Sequence, residues 1–100
     1  MQAQALQVVD LIIENILLVK DEIGVTVPPQ LQADTALFGI EGFLDSMALV
    51  TLVIALEQGI KEKFGVSVQL ADAHAISQEP SPYSTIHALA EYALLRMQTD

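Results

Sequence analysis

The sequence contains no cysteine and no tryptophan, and only 5% of its residues are aromatic. The absence of cysteine excludes disulfides, thiolate zinc sites and a cysteine nucleophile, and it leaves a reducing cytoplasm as the default compartment. Because hydrophobic residues nevertheless make up 52% of the chain, the core must consist mainly of aliphatic side chains. The 100 residues predict one domain, 1–100, that is large enough to bury such a core.

Basic residues are also scarce, since 4 lysines and arginines stand against 13 acidic residues and the formal net charge is −9. A field of this sign repels nucleic acid and anionic membrane surfaces, and it favours partners with basic surfaces. The same charge also keeps a small apolar domain dispersed. We therefore expect a monomer with no nucleic-acid partner and no stable membrane insertion.

One stretch organises the chain, beginning at Gly42 with the order Gly-Phe-Leu-Asp-Ser-Met-Ala-Leu-Val-Thr-Leu-Val. Asp45 is a good N-cap, because its carboxylate accepts hydrogen bonds from the free N–H groups of a first helical turn. Ser46 then occupies the first helical position, where an esterified phosphate would lie near the positive end of the helix dipole. Taken alone, the Asp-Ser pair is better explained as a simple helix cap.

The wider segment 37–47, Leu-Phe-Gly-Ile-Glu-Gly-Phe-Leu-Asp-Ser-Met, resembles the acyl carrier protein family and looks most like its D-alanyl and other specialised carriers. In that family the Asp-Ser motif begins the second helix, and the serine carries 4′-phosphopantetheine. The resemblance covers most of the chain, roughly 6–95. It implies an all-α four-helix bundle with a long first loop and a short third helix. It further implies Ser46 as the attachment site, with Asp45 as the motif partner that helps to place the metal of the modifying enzyme.

The resemblance also implies a set of partners and a non-catalytic role. A phosphopantetheinyl transferase would add the arm from coenzyme A. An acyl- or aminoacyl-loading ligase and downstream transferases or synthases would then exchange a thioester held on the arm, as in fatty-acid and other lipid biosynthesis. Two alternatives remain open. Besides the acyl carrier, they are an aminoacyl or peptidyl carrier loaded by an adenylating ligase, and an unmodified helical interaction domain.

The second helix is predicted over Ser46–Phe64, and its apolar residues fall on two faces. One face forms the core stripe, composed of Leu49, Leu52, Val53, Leu56, Ile60 and Phe64. The other face is predicted to bind partner enzymes, unless another helix or the long loop covers it; its residues are Met47, Val50 and Ile54, with Glu57 further along. Family members often carry acids two and five positions after the serine, where this sequence has Ala48 and Thr51. Partner recognition near the serine should therefore be more apolar.

The other elements are predicted from periodicity and breakers. A first helix over Gln4–Lys20 is too short and too acidic to span a membrane, and its buried stripe is predicted as Leu6, Val9, Ile13, Ile16 and Leu17. A long connection runs from Gly24 to Phe43, and a short helix is expected over Leu70–Ile76. The last helix begins near Ser84 or Thr85, and its predicted buried stripe is Ile86, Leu89, Ala90, Ala93, Leu94 and Met97.

The two histidines, His74 and His87, belong to no compact metal-ligand motif. A dyad of Ser46 with a histidine is conceivable, since a serine hydroxyl needs a nearby base to become a nucleophile. However, the sequence lacks the strand, glycine elbow and helix that are typical of serine hydrolases. The sequence therefore predicts a chain that is not an enzyme.

Overall fold

The computed structural model describes residues 3–39, 42–71 and 81–99, and these residues form an all-helical fold. The helices are α1 (Ala3–Ile23), α2 (Ser46–Phe64) and α3 (Ile86–Thr99). Helix α1 packs against both α2 and α3. The described ranges thus contain three helices and not the four expected, and most of the short helix predicted over 70–76 lies outside them. None of these helices combines the length and the hydropathy that crossing a bilayer requires.

Helix α1 extends to Ile23, three residues beyond its predicted end, and Gly24 terminates it. Gly24 has φ 68°, and its N–H donates to Lys20 O at 3.0 Å, as in a left-handed C-cap. The predicted buried stripe is partly wrong, since Leu6 and Leu17 are about half-exposed and Leu11 is buried. Because α1 is apolar around most of its circumference, the spacing of its apolar residues does not indicate which face is buried. Contacts with α2 and α3 bury the following residues: Ala5, Val8, Val9, Leu11, Ile12, Asn15, Ile16 and Val19.

Helices α1 and α2 run antiparallel, and a glycine allows them to approach closely. A Cβ at Gly59 would lie 3.2 Å from Asn15 Nδ2 and 3.3 Å from Leu11 Cδ1, so a larger residue would push the helices apart. Asn15 is buried, and its amide donates to Leu11 O at 2.8 Å. At the other end of the pair, Ile23 and Ala48 line one groove. The end of α1 therefore lies beside the start of α2.

Helix α2 begins and ends where the sequence predicts. The predicted core stripe is buried except for Phe64, which is half-buried, and Ala48 joins it. Gly65 ends the helix with φ 70° and an N–H that donates to Lys61 O at 2.9 Å. Local sequence signals suffice to predict the bounds and the buried face of α2, because this helix has a strong cap at each end and a single well-defined apolar stripe.

The connection between α1 and α2 fixes the starts of two helices. Leu37 is fully buried, its N–H donates to Ser84 O at 2.8 Å, and its carbonyl accepts from Leu44 N–H at 2.9 Å. A Cβ at Gly42 would lie 2.4 Å from the Leu37 backbone, so only glycine fits this crossing. Leu37 fills the core, and its backbone brings the starts of α2 and α3 to the same end of the molecule.

Helix α3 is capped by Thr85, whose hydroxyl oxygen accepts from Ala88 N–H at 3.0 Å. Just before it, Tyr83 is fully buried, donates its hydroxyl hydrogen bond to Leu70 O and packs edge-on against Tyr92 at a centroid separation of 5.8 Å. The predicted stripe of α3 is buried over Ile86, Leu89, Ala90 and Ala93, whereas Leu94 and Met97 are half-buried.

Candidate functional site

The start of α2 has the geometry of a well-formed N-cap. Asp45 has φ −86° and ψ −179°, and its Oδ1 accepts from Ala48 N–H at 2.8 Å. Its carbonyl accepts the first intrahelical bond, from Leu49 N–H at 2.9 Å. The cap fixes the direction in which α2 begins, and it therefore fixes the position of the next residue as well.

Ser46 is the first residue of α2, and its side chain is exposed to solvent. Within the described part of the chain, its hydroxyl makes no hydrogen bond. The backbone N–H groups of Ser46 and Met47 likewise have no partner among those residues, and they form the positive end of the helix dipole. A hydroxyl in this position is accessible to an enzyme that would modify it. The helix dipole would stabilise a negative group attached to it.

The predicted partner face beside the serine is largely open. Met47 is 82% exposed and Ile54 is 45% exposed, whereas Val50 is half-buried. Their spacings of three and four residues place them on one side of α2, over about 10 Å of its length. Neither another helix nor the described part of the long loop fully covers this face. An apolar contact surface therefore lies directly next to Ser46.

A groove separates the end of α1 from the start of α2, and we call it the serine-end groove. Its volume is about 340 Å³, and it is lined by Glu22, Ile23, Asp45, Met47, Ala48 and Thr51. Among the described residues, its charged lining groups are the carboxylates of Glu22 and Asp45. Sequence reasoning missed Glu22, because only the antiparallel packing of α1 and α2 brings it into the groove that Asp45 and Met47 also line.

The two positions where family members often carry acids are occupied differently here. Ala48 is buried in the core, and Thr51 is half-buried, with its hydroxyl donating to Met47 O at 3.1 Å. The first turn of α2 contains no acidic residue. Among the described residues, the acidic groups at the serine end of α2 thus come from the cap, Asp45, and from Glu22 of α1, and the first turn of α2 contributes none.

Glu57 has a structural contact that the sequence did not indicate. Its Oε2 accepts from the backbone N–H groups of Leu70, at 2.5 Å, and Ala71, at 2.9 Å. This half-buried carboxylate thereby fastens the chain after α2 back onto the helix. Its assignment to the partner face stays a prediction, and the hydrogen bonds give it a separate role in the fold.

The remaining candidates for chemistry form no site in the described ranges. His87 is exposed, and its Nε2 lies 3.4 Å from Glu91 Oε1, one helical turn away on α3. His74 lies outside the described residues. Among the described residues, no three histidine, aspartate or glutamate side chains lie close enough together to hold a metal ion.

Comparison with protein-family models, with curated proteins and with solved structures finds no match. The function must therefore be argued from the site itself.

Proposed function

We propose that this chain is a carrier protein of the acyl carrier protein type, modified on Ser46 with 4′-phosphopantetheine. The observation that carries the proposal is the exposed Ser46 hydroxyl at the first position of α2, next to a formed Asp45 cap. A serine that served only to start the helix would not need an open apolar face beside it. The exposure of Met47 and Ile54 supports a site that other proteins visit.

The residues present fit the phosphodiester that the proposal requires. The unpaired N–H groups of Ser46 and Met47 lie at the positive end of α2 and would stabilise its negative charge. Asp45 caps the helix through Oδ1, which accepts from Ala48 N–H, and its other carboxylate oxygen remains available to a metal ion of the transferase. When attached, phosphopantetheine supplies a thiol for thioester chemistry, which the chain itself lacks because it has no cysteine.

In the modification step, Ser46 Oγ bonds to the phosphorus of the pantetheine phosphate in coenzyme A. The bond from that phosphorus to the nucleotide's phosphate breaks, and the hydroxyl proton passes to a base of the transferase. Ser46 needs this external base, since a serine hydroxyl is a weak nucleophile at neutral pH and no described residue accepts a hydrogen bond from it. We accordingly propose that the chain catalyses nothing by itself.

The finer features of the family belong to the same proposal. They comprise a fourth, short helix between α2 and α3, a monomeric state, a cytoplasmic location, and loading by an acyl- or aminoacyl-specific ligase. The specificity of the loading ligase also distinguishes an acyl carrier from an aminoacyl or peptidyl carrier. Assays of the modified protein with candidate ligases and substrates reveal which thioester forms.

Intact-mass measurement after incubation with coenzyme A, Mg²⁺ and a broad-specificity phosphopantetheinyl transferase tests the proposal. We expect the wild-type protein to gain the mass of one phosphopantetheine and Ser46→Ala to gain none. Ser67→Ala provides a matched control, because Ser67 is exposed but does not begin a helix, and this variant should be modified like the wild type.

A second candidate function is supported by the same exposed residues. Met47 and Ile54 would also suit an unmodified helical domain that binds a partner through α2. Absence of any adduct on the wild-type protein, or an adduct that persists in Ser46→Ala, would contradict the carrier proposal and favour this second function.

A further inference from the structure

The serine-end groove has an unbalanced charge. Of the residues that the structure describes, two with carboxylates line it, Glu22 and Asp45, and no lysine or arginine does. The whole chain carries a net charge of −9, so the field around the groove is negative as well. An occupant of this groove should therefore contribute positive charge.

The position of Glu22 is unfavourable for the helix that carries it. Glu22 lies in the last turn of α1, where the helix dipole is negative and a carboxylate is mildly destabilising. It is exposed, and it makes no ion pair or hydrogen bond with the described residues. Neither helix stability nor a local contact explains a carboxylate here, whereas attraction of a cationic partner does.

The apolar residues at the same place define the rest of the surface. Met47 lines the groove and is also the most exposed large hydrophobic residue among those that the structure describes. Ile54 continues the apolar surface two turns along α2. A partner that contacts this region thus meets apolar side chains on α2 and carboxylates at the edge next to α1.

We propose that the serine-end groove receives a lysine or arginine side chain of the enzyme that modifies Ser46. The cationic group lies between Glu22 and Asp45, while an apolar part of the same enzyme covers Met47 and Ile54. This inference rests on the proposed carrier function and adds Glu22, on α1, to the recognition surface. Charge from α1 then takes the place of the acidic residues that the first turn of α2 lacks.

Steady-state kinetics of phosphopantetheine transfer to Glu22→Gln and Glu22→Lys tests the inference. Glu14→Gln provides the matched control, because Glu14 is an exposed acid on the same helix, two turns earlier, and lines a different groove. We expect Glu22→Gln to lower kcat/KM about 5-fold at low salt, mainly through KM, with a larger loss for Glu22→Lys and less than about 2-fold for Glu14→Gln. High salt should reduce the difference between Glu22→Gln and wild type, because it screens the charge pair.

The stability of the variants is measured in parallel by thermal unfolding. Glu22→Gln should unfold at or slightly above the wild-type temperature, since it removes a carboxylate from the negative end of α1. A slower transfer in this variant therefore reports on binding and not on folding.

The outcomes separate the inference from the function on which it rests. If wild type is modified and Glu22→Gln and Glu14→Gln behave alike, the inference is wrong and the carrier function stands. If Glu22→Gln changes the Mg²⁺ requirement and leaves the KM for the protein unchanged, the groove binds a metal ion and the inference is again wrong. If wild type itself is not modified, both the carrier function and the inference fail.

Discussion

Helices α1 and α2 form a groove at each end of their contact, and the two grooves are similar in size but not in chemistry. The serine-end groove holds about 340 Å³. The second, which we call the far groove, holds about 300 Å³ and is lined by Leu11, Glu14, Asn15, Leu18, Gly59, Glu62 and Lys63. Its polar groups are better balanced than those of the serine-end groove, since Asn15 is hydrogen-bonded to Leu11 O and Lys63 offsets part of the charge of Glu14 and Glu62.

The difference shows which features indicate a site in this molecule. A concave surface alone does not, because the far groove has one and serves helix packing through Gly59. The serine-end groove differs because two of its lining residues, Asp45 and Met47, flank Ser46 in the chain, and because the charged groups that line it among the described residues are both carboxylates. Groups that the fold leaves without partners are the ones that a ligand or a partner protein can use.

The largest expected change in stability comes from the far groove. Gly59→Val places a branched side chain where even a Cβ would lie 3.2 Å from Asn15 Nδ2, so we expect the free energy of unfolding to fall by about 3 kcal/mol. Gln58→Val is the matched control, since Gln58 is exposed on the same helix and this change costs only helix propensity. Chemical denaturation of both variants measures the difference.

This variant also tests the separation of the two grooves. Under conditions in which Gly59→Val is folded, its Ser46 should be modified at close to the wild-type rate. A large loss of modification in the folded variant would show that the two ends are coupled, and the comparison above would fail.

A smaller loss of stability is expected at the serine end. Asp45→Ala removes the acceptor of the Ala48 N–H bond and should lower the free energy of unfolding by about 1 kcal/mol. Asp45→Asn keeps a capping acceptor and should be nearly as stable as the wild type. If both variants lose modification of Ser46 equally, the charge of Asp45 is needed for it. If only Asp45→Ala loses modification, Asp45 acts by capping the helix.

The smallest effect on stability is expected from the apolar face. Met47→Ala with Ile54→Ala should change the free energy of unfolding by less than about 0.5 kcal/mol, since both side chains are largely exposed. The rate of transfer to Ser46 should nevertheless fall several-fold. Leu18→Ala provides the control, because Leu18 is 71% exposed but lies in the far groove, and its loss should leave the rate unchanged.

An unchanged rate in the double variant would contradict the assignment of Met47 and Ile54 to the partner face. An equal loss in Leu18→Ala would show that exposed apolar area in general, and not its place beside the serine, determines the rate.

The sequence predicts the parts of this molecule that are determined locally. The bounds of α2 and its N-cap follow from Asp45, Gly65 and one apolar stripe, all of which act within a few residues. The buried face of α1 does not follow, because Leu6, Leu11 and Leu17 are equally apolar and only packing decides among them. Predicting it would have required knowing that α2 approaches through Gly59.

The same distinction holds for the candidate site. Ser46 and Asp45 are recognisable from their motif, whereas Glu22 shares a groove with Asp45 only because α1 and α2 are antiparallel. Glu57 illustrates the converse, since its carboxylate binds backbone groups 13 and 14 residues further along the chain, a contact that no helical periodicity indicates.

Peptide mapping by tandem mass spectrometry after incubation with coenzyme A and the transferase tests the central claim most directly. The account predicts a single phosphopantetheine, located on Ser46, in the peptide that spans the start of α2. An unmodified Ser46, or an adduct on any other residue, would contradict it.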